Sequence, residues 1–338
     1  MNFEDYAHTS ISDRPLQMND CLQILHSVDD DLLDLINVAY KVRRKYFGNH
    51  VQVQILTNAK SGRCPEDCHY CSQSSISTAE IEKYSMLSAE KLIEEARSAK
   101  ELKAMRYCMA LSGRKPNDRE IEKLCEIIAQ IKKETGLSVC CSLGLVTSEQ
   151  AQRLKVAGLD RINHNLNTSR NYHPQICTTH SYQDRLDTIS RCKEAGLEIC
   201  SGGIVGQGES DEDIIDLLFS LREIDAESVP INFLIPISGT MFENRTRELT
   251  PRRCLKILCL ARFLLPNKEI RVAGGREHHL RHLQPLALYV ANSIFVNGYL
   301  TTGGQDAVEA IRMIEDMGFT AEIEGAVESS EAPSLLKR

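Results

Sequence analysis

The sequence of 338 residues lacks the features that mark membrane proteins and nucleic-acid-binding proteins. No apolar run approaches the roughly 18 residues that a membrane-spanning helix needs. The formal net charge is −7 and there is no long basic run, which argues against a protein that follows nucleic-acid phosphates. The amino terminus shows neither an apolar signal segment nor an arginine-rich transit pattern, so we expect a cytoplasmic protein that binds no membrane and no nucleic acid.

The thirteen cysteines do not have the pattern of a disulfide framework, because their number is odd and they are scattered along the chain. A reducing cytosol would also keep their thiols free. Metal ligation for some cysteines and plain burial for the others is the better interpretation.

The densest cysteine group lies in the stretch Cys64-Pro65-Glu66-Asp67-Cys68-His69-Tyr70-Cys71. Its spacing is C-x₃-C-x₂-C, with an aromatic residue directly before the third cysteine. Structural zinc sites usually have four protein ligands, and the sequence contains no second C-x₂-C pair. Three thiolates suit an iron–sulfur cluster with one iron open to another ligand. Zinc with a fourth ligand from elsewhere in the chain, or a chance clustering of cysteines, is the alternative interpretation.

Alternating strand and helix patterns predict the fold. Residues 51–56 alternate with period two and lead directly into the cysteine loop. Seven more strands are predicted at 105–111, 137–143, 159–166, 197–205, 229–235, 270–273 and 292–296. The helices between them begin at capping residues such as Ser88, Asn117 and Thr147.

This order predicts an α/β protein with a (β/α)₈ barrel of the TIM type over residues 49–305. An open, doubly wound sheet is the alternative. Residues 1–48 have helical patterning and are predicted to form an N-terminal helical cap. Residues 306–338 are predicted to form a C-terminal extension, with one helix and then a loose polar tail.

Alternation along the predicted strands separates the side chains that face the lumen from those that face the helices. It turns Cys108, Cys140, Cys200 and Arg271 inward, whereas Cys141 points outward. Asparagines at 163, 165, 167 and 232 also lie on the inward or polar faces. Burying polar groups without partners costs about 1–3 kcal/mol each, so we expect a bound group in this lumen. The remaining cysteines are interpreted as packing or surface thiols: Cys21, Cys125, Cys141, Cys177, Cys192, Cys254 and Cys259.

The cysteine loop, with Tyr70 before its last cysteine, resembles the signature of the radical S-adenosylmethionine (SAM) superfamily. Further stretches resemble the biotin synthase family within it and together span about residues 50–305. They are Arg106-Tyr-Cys108-Met, Asn163-His-Asn-Leu-Asn-Thr-Ser169, Cys200-Ser-Gly-Gly-Ile-Val-Gly-Gln-Gly-Glu209, Val229-Pro-Ile-Asn232, Arg271-Val-Ala-Gly-Gly-Arg-Glu277, Ala291-Asn-Ser-Ile-Phe295 and Leu300-Thr-Thr302.

The resemblance implies sulfur insertion into dethiobiotin to give biotin, the last step of biotin biosynthesis. It implies that Cys64, Cys68 and Cys71 hold a [4Fe–4S] cluster to which SAM binds. A second cluster, [2Fe–2S], would lie in the lumen. Its implied ligands are Cys108, Cys140, Cys200 and Arg271, and Arg271 is counted with the loop cysteines among the catalytic residues.

The resemblance also implies contacts to SAM and to the substrate. The implied SAM contacts are Tyr70, Asn165, Asn167, Gly202, Ile204, Gly206 and Glu209. The implied substrate contacts are Asn163, Asn232, Thr301 and Thr302. Asn167 stands where some family members carry Asp, so at this position the side chain forms hydrogen bonds without a charge.

The partners that the resemblance implies are a low-potential electron donor such as flavodoxin or ferredoxin, the iron–sulfur assembly machinery and a second copy of the chain in a homodimer. Two other functions remain. A different radical SAM enzyme of the same subgroup need not keep the inward cysteines and Arg271. A non-catalytic iron–sulfur electron carrier would not need a polar lumen.

Overall fold

A computed structural model describes residues 3–12, 16–245 and 249–322. Its α-helices are α1 (Phe3–Ile11), α2 (Met18–Leu25), α3 (Leu32–Phe47), α4 (Ala89–Glu101), α5 (Asp118–Thr135), α6 (Ser148–Val156), α7 (Tyr182–Glu194), α8 (Asp211–Glu223), α9 (Pro251–Leu264), α10 (Arg276–Leu280) and α11 (Ala307–Asp316). Short 3₁₀ helices cover Asp29–Asp31, His173–Gln175 and Arg281–Tyr289. The strands are β1 (His50–Lys60), β2 (Arg106–Leu111), β3 (Ser138–Ser142), β4 (Arg161–Asn163), β5 (Glu198–Cys200), β6 (Gly203–Val205), β7 (Ser228–Phe233), β8 (Glu269–Val272), β9 (Ser293–Val296) and β10 (Thr320–Glu322).

The strands form a closed parallel barrel. Neighbours follow chain order from β1 to β5, continue through β7, β8 and β9, and return to β1. β5 and β6 both pair with β7 and occupy one position in the barrel, so together they count as one of eight strands. The prediction of a (β/α)₈ barrel is confirmed, and the closure between β9 and β1 excludes the open sheet.

The predicted caps begin several of the helices. The side chains of Ser88, Asn117 and Thr147 each accept a hydrogen bond from the backbone N–H three residues later. Thr250 does the same before α9, which has Pro251 at its first position. These caps satisfy N–H groups that a helix start leaves without an intrahelical partner. The apolar helix faces then bury against the outer surface of the barrel, where the main hydrophobic core lies.

The strand predictions were wrong in three places. Residues 197–205 do not form one strand, because the chain breaks at Ser201 and Gly202 between β5 and β6. β4 has three residues instead of eight, and the backbone farther on at Asn167 has a left-handed φ of 71°. β10 was not predicted, since three residues are too few to show a period; it pairs with the start of β1.

The predicted N-terminal cap consists of α1, α2 and α3, which pack against the barrel helices α8 and α9. Arg43 on α3 is fully buried and donates hydrogen bonds to the carbonyls of Ala291 at 3.2 Å and His50 at 2.7 Å. Its guanidinium also lies 4.6 Å from the ring centre of Phe319. The cap, the first strand and the C-terminal extension are therefore joined. The predicted loose tail, from residue 323 onward, lies outside the described residues.

None of the helices in the described ranges combines the length and the apolar character that a bilayer crossing requires.

Candidate active site

A cavity of about 390 Å³ runs from the carboxyl ends of the strands into the barrel lumen. The loop after β1 lines its mouth, and side chains of β2, β3, β5 and β8 line its depth. Sites in TIM barrels lie at this end because the loops that follow the strands converge there.

The three loop cysteines all line this cavity. The loop is held by the Gln73 side chain, which accepts a hydrogen bond from Gly62 N at 2.8 Å, and by a turn from Cys71 N to Cys68 O at 3.1 Å. Burial raises the pKa of Cys71 to about 11 and also raises that of Cys64. Three thiols that converge on one cavity, on a loop with its own hydrogen bonds, are a donor set that fits an iron–sulfur cluster.

Deeper in the lumen, Cys108, Cys140 and Cys200 form a separate buried group, whereas Cys141 packs in the main core. This is the arrangement that strand alternation predicted. A hydrogen bond from the Cys140 thiol lowers the pKa of Cys108 and raises its own. Arg271 Nη1 lies 3.6 Å from Cys200 Sγ, and its guanidinium stacks 4.7 Å from the ring centre of Phe295.

A charged layer, made of Glu269, Arg271, Arg161 and Arg106, lies beside these thiols and was not predicted as a group. Glu269 pairs with Arg271, accepts a hydrogen bond from Gln54 Nε2 at 2.7 Å and pairs with Arg161 Nη1 at 2.6 Å. Burial disfavours the Glu269 charge, but Arg271 and Arg161 outweigh burial and hold its pKa well below the usual range. Glu269 lies two residues before Arg271, so strand alternation alone already places both side chains on the inward face.

Arg106, in the same layer, has guanidinium N–H groups that form no hydrogen bond with the described residues. Its Nε and Nη1 atoms are buried and have no hydrogen-bond partner, and its charge acts on the thiol of Cys108. Unmet guanidinium donors, on a side chain whose charge acts on Cys108 and Cys140, suit an anionic, thiolate-bound group. The lumen therefore fits a second cluster by the chemistry of its donors.

The predicted SAM contacts near the mouth form hydrogen bonds with one another. Asn167 Nδ2 donates to Tyr70 Oη at 2.5 Å, and Asn165 Oδ1 accepts from the backbone N–H of Gly202 at 3.1 Å. Arg185 on α7, which the sequence analysis missed, also lines the cavity and donates to the carbonyl of Asn165 at 2.7 Å. The Arg185 guanidinium at this position is suited to bind the carboxylate of a ligand.

The predicted SAM-binding segment from Gly202 to Glu209 packs mostly against other parts of the protein and contributes little to the cavity lining. A Cβ at Gly202 would lie 1.9 Å from the carbonyl oxygen of Pro230, and one at Gly206 would lie 2.7 Å from Leu249. Glu209 accepts a hydrogen bond from Gly206 N at 2.6 Å, which fixes the turn. Of the segment's four predicted contacts, Ile204 lines the cavity.

The predicted substrate residues all line the cavity. Asn163 Nδ2 lies 3.2 Å from Cys200 Sγ, so it reaches the lumen thiols. The amide of Asn232 bridges Gly203 O at 3.0 Å and Gly274 N at 2.9 Å. Thr301 shares a hydrogen bond of 2.8 Å with Ser72 in the cysteine loop.

Cys177, interpreted as a packing or surface thiol, is buried against the cysteine loop. Its Sγ lies 3.8 Å from Cys68 Sγ and 3.3 Å from His180 Nδ1, and neither contact was predicted. The two cysteines are 109 residues apart in the chain, so no local pattern could have shown this contact.

Two family descriptions and many curated proteins match the chain. Residues 59–221 match the radical SAM superfamily, and residues 230–320 match the biotin and thiamin synthesis associated domain. A biotin synthase of Geobacillus thermodenitrificans is 49% identical over 99% of this chain and 98% of its own length. One of Bacillus cytotoxicus is 47% identical over 95% and 97%. The chain belongs to the biotin synthase family. Radical SAM enzymes use a [4Fe–4S] cluster and SAM, so this membership makes a non-catalytic electron carrier untenable.

Solved structures agree in fold. A crystal structure of methylornithine synthase superimposes with a TM-score of 0.82 at 21% identity and covers 94% of this chain and 97% of its own. The [FeFe]-hydrogenase maturase of Carboxydothermus hydrogenoformans gives 0.80 at 18% identity, over 95% and 79%. At these identities the likeness shows the barrel alone.

Proposed function

We propose that the chain inserts sulfur into dethiobiotin to form biotin, at the cavity described above. The observation that carries the proposal is the buried group of Cys108, Cys140 and Cys200 beside Arg271, directly below the cysteine loop. A radical SAM enzyme that needs one cluster would gain nothing from three further buried thiols and an arginine in its lumen.

The residues divide between two cofactor sites and one substrate site. Cys64, Cys68 and Cys71 would hold the [4Fe–4S] cluster. The lumen cysteines and Arg271 would hold a [2Fe–2S] cluster. When bound, these clusters and SAM supply a radical that removes hydrogen from unactivated carbon and the sulfur that replaces it.

The chain's own residues would hold the reactants in position and exclude water from them. The cavity closes toward the lumen, where Arg271 and Glu269 are almost fully buried, so a reactive species there is kept from solvent. Tyr70 and Asn167, bonded to each other, and Asn165 would orient SAM through hydrogen bonds. Ile204 would contact it, while Gly202, Gly206 and Glu209 would shape that segment.

The substrate would lie between the two cluster sites. Asn163 and Asn232 would bind the neutral ureido ring, since an amide offers both a donor and an acceptor. Asn232 uses both ends of its amide on backbone groups, whereas the contacts of Asn163 to protein are made by Nδ2, which supports Asn163 as the stronger contact. Thr301 and Thr302 at the mouth would receive the substrate carboxylate.

The test is biotin formation by the full chain, reconstituted anaerobically with iron and sulfide. We expect biotin from dethiobiotin, SAM and a low-potential reductant. SAM cleavage without biotin, in protein that carries both clusters, would instead favour another radical SAM enzyme of the same subgroup.

Membership of the family supports four further proposals. Flavodoxin or ferredoxin would supply the electrons, and the iron–sulfur assembly machinery would rebuild the clusters. The chain would work in the cytoplasm as a homodimer. Analytical ultracentrifugation of the reconstituted protein distinguishes one copy from two.

A further inference from the structure

A set of metal-binding side chains lies beside the cysteine loop, and two of its three members, Cys177 and His180, have no part in the proposed reaction. One ligand atom each from Cys68, Cys177 and His180 lie within 4.8 Å of one another. Cys177 and His180 are buried, and both belong to the segment that follows the 3₁₀ helix His173–Gln175. Two thiols and an imidazole are a ligand set typical of zinc.

The separation of the two sulfurs fits a mononuclear ion. Zinc–sulfur bonds are about 2.3 Å long, so two thiolates on one tetrahedral ion lie about 3.8 Å apart. The Sγ atoms of Cys68 and Cys177 lie 3.8 Å apart. No backbone movement is needed to bring these two sulfurs onto one ion.

A carboxylate of the cysteine loop supports the imidazole ligand, and a second carboxylate contacts the Cys177 thiol. A ring nitrogen of His180 is hydrogen-bonded to Glu66 Oε2, so a carboxylate supports this imidazole, as in many zinc sites. The Cys177 thiol donates to Asp67 Oδ1 at 3.1 Å and gives up this proton when it binds a metal as a thiolate; Asp67 Oδ1 also accepts from the backbone N–H of Thr178 at 2.9 Å. The glutamate and the aspartate come from the cysteine loop itself, so the loop and the 177–180 segment form one unit.

We propose that Cys68, Cys177 and His180 bind a zinc ion in the chain that does not yet carry its [4Fe–4S] cluster, with water in the fourth position. Cys68 belongs to both sites, so the zinc and the cluster exclude each other. This exclusion rests on the proposed cluster site, whereas zinc binding by the cluster-free chain does not.

The experiment uses the full chain stripped of iron and sulfide and titrated with zinc against a chromophoric chelator. We expect one zinc per chain, and a fall in affinity of at least about 100-fold in Cys177→Ala and in His180→Ala. Glu66→Gln should weaken binding about 10–100-fold, as changes next to zinc ligands do. Cobalt in place of zinc should show the charge-transfer bands of two thiolates.

Cys64→Ala and Cys71→Ala are the matched controls, because each removes a loop cysteine that is outside the zinc set. Zinc affinity should stay at the wild-type value in both. If Cys64→Ala or Cys71→Ala lose the zinc while Cys177→Ala keeps it, the three loop cysteines bind it and the proposal is wrong. The absence of any tight zinc site would also overturn it.

Folding and cluster loading separate this proposal from the proposed function. Cys177→Ala should keep the wild-type far-UV circular dichroism and still take up the [4Fe–4S] cluster; where it does not fold, His180→Ala decides. Zinc added before reconstitution should slow cluster uptake by wild type but not by Cys177→Ala. If the zinc-free wild type takes up no cluster, the proposed function fails while the zinc result stands.

Discussion

Cys140 and Cys141 are neighbours in the chain, but their side chains lie in different surroundings. Cys140 lies in the lumen with Cys108 and Cys200, and Cys141 packs between β3 and the helices that cover it. The pair therefore offers a test in which the same atoms are removed at adjacent positions.

Cys140→Ala should lose the second cluster and biotin formation while it keeps the first cluster and SAM binding. Cys141→Ala should keep both clusters and lose only about 1 kcal/mol of stability, as a typical buried substitution does. Iron and sulfide content with absorption spectra checks both variants. If Cys141→Ala loses the second cluster instead, the assignment of the inward face is wrong.

Glu269 carries a charge on which the position of Arg271 depends. Its folded pKa is held below the value near 4.3 of an unfolded chain, so its contribution is present above that pH and is lost as the pH falls further. Removing one partner of such a buried pair costs about 3–5 kcal/mol.

Glu269→Gln should therefore be less stable than wild type by about 3 kcal/mol at pH 7, and the difference should shrink below about pH 4. Urea unfolding of the cluster-free chain at several pH values measures this. The exposed Glu126→Gln is the control and should follow the wild-type curve. A difference between Glu269→Gln and wild type that does not change with pH would contradict the ion-pair argument.

At the scale of single elements, the break between β5 and β6 begins directly after Cys200. β5 ends at Cys200, and the chain passes so close to Pro230 on β7 that a side chain at Gly202 would meet its carbonyl oxygen at 1.9 Å. A continuous strand would not bring the backbone this near its neighbour.

Gly202→Ala should thus cost about 1–3 kcal/mol or more, because the backbone of β7 must move. The substitution should also lower the content of the second cluster, since a shift of the backbone at residue 202 displaces Cys200. Gly303→Ala, where a Cβ meets nothing within 4 Å, should change neither property. Urea unfolding and sulfide analysis compare the two. Equal stability of the two variants would show that the close approach is not required.

At the scale of the whole molecule, Arg43 joins parts that are far apart in the chain. Its guanidinium bonds to carbonyls before β1 and before β9 and lies over Phe319 next to β10. Burial lowers the pKa of Arg43 to about 10. Arg43 therefore links the helical cap to β1 and β9, the two strands whose pairing closes the barrel.

Arg43→Met should lower the free energy of unfolding by about 3 kcal/mol, because buried carbonyls lose their donor. The unfolding curve should broaden if the cap then unfolds before the barrel. Arg44→Met, at an exposed position next to it, is the control. The chain has no tryptophan, so far-UV circular dichroism follows the transition. An unchanged midpoint in Arg43→Met would contradict this role.

Much of the site could be predicted from the sequence. The spacing of Cys64, Cys68 and Cys71 already indicates a cluster with an open position, because ligand count and order are local properties. Alternation then placed Cys108, Cys140, Cys200 and Arg271 on one face, since successive side chains on any strand point to opposite sides. Glu269 was within reach of the same argument, because it shares that face with Arg271.

The sequence by itself determined the barrel and the inward face, because both follow from short-range periods. Only the tertiary structure decided which residues of separate elements meet, since those contacts depend on how the sheet closes and on loops of no regular period. Cys177 against Cys68, Arg161 against Glu269, and Gly202 against Pro230 are such contacts. Each joins residues from separate elements, which come together when the sheet closes from β9 onto β1.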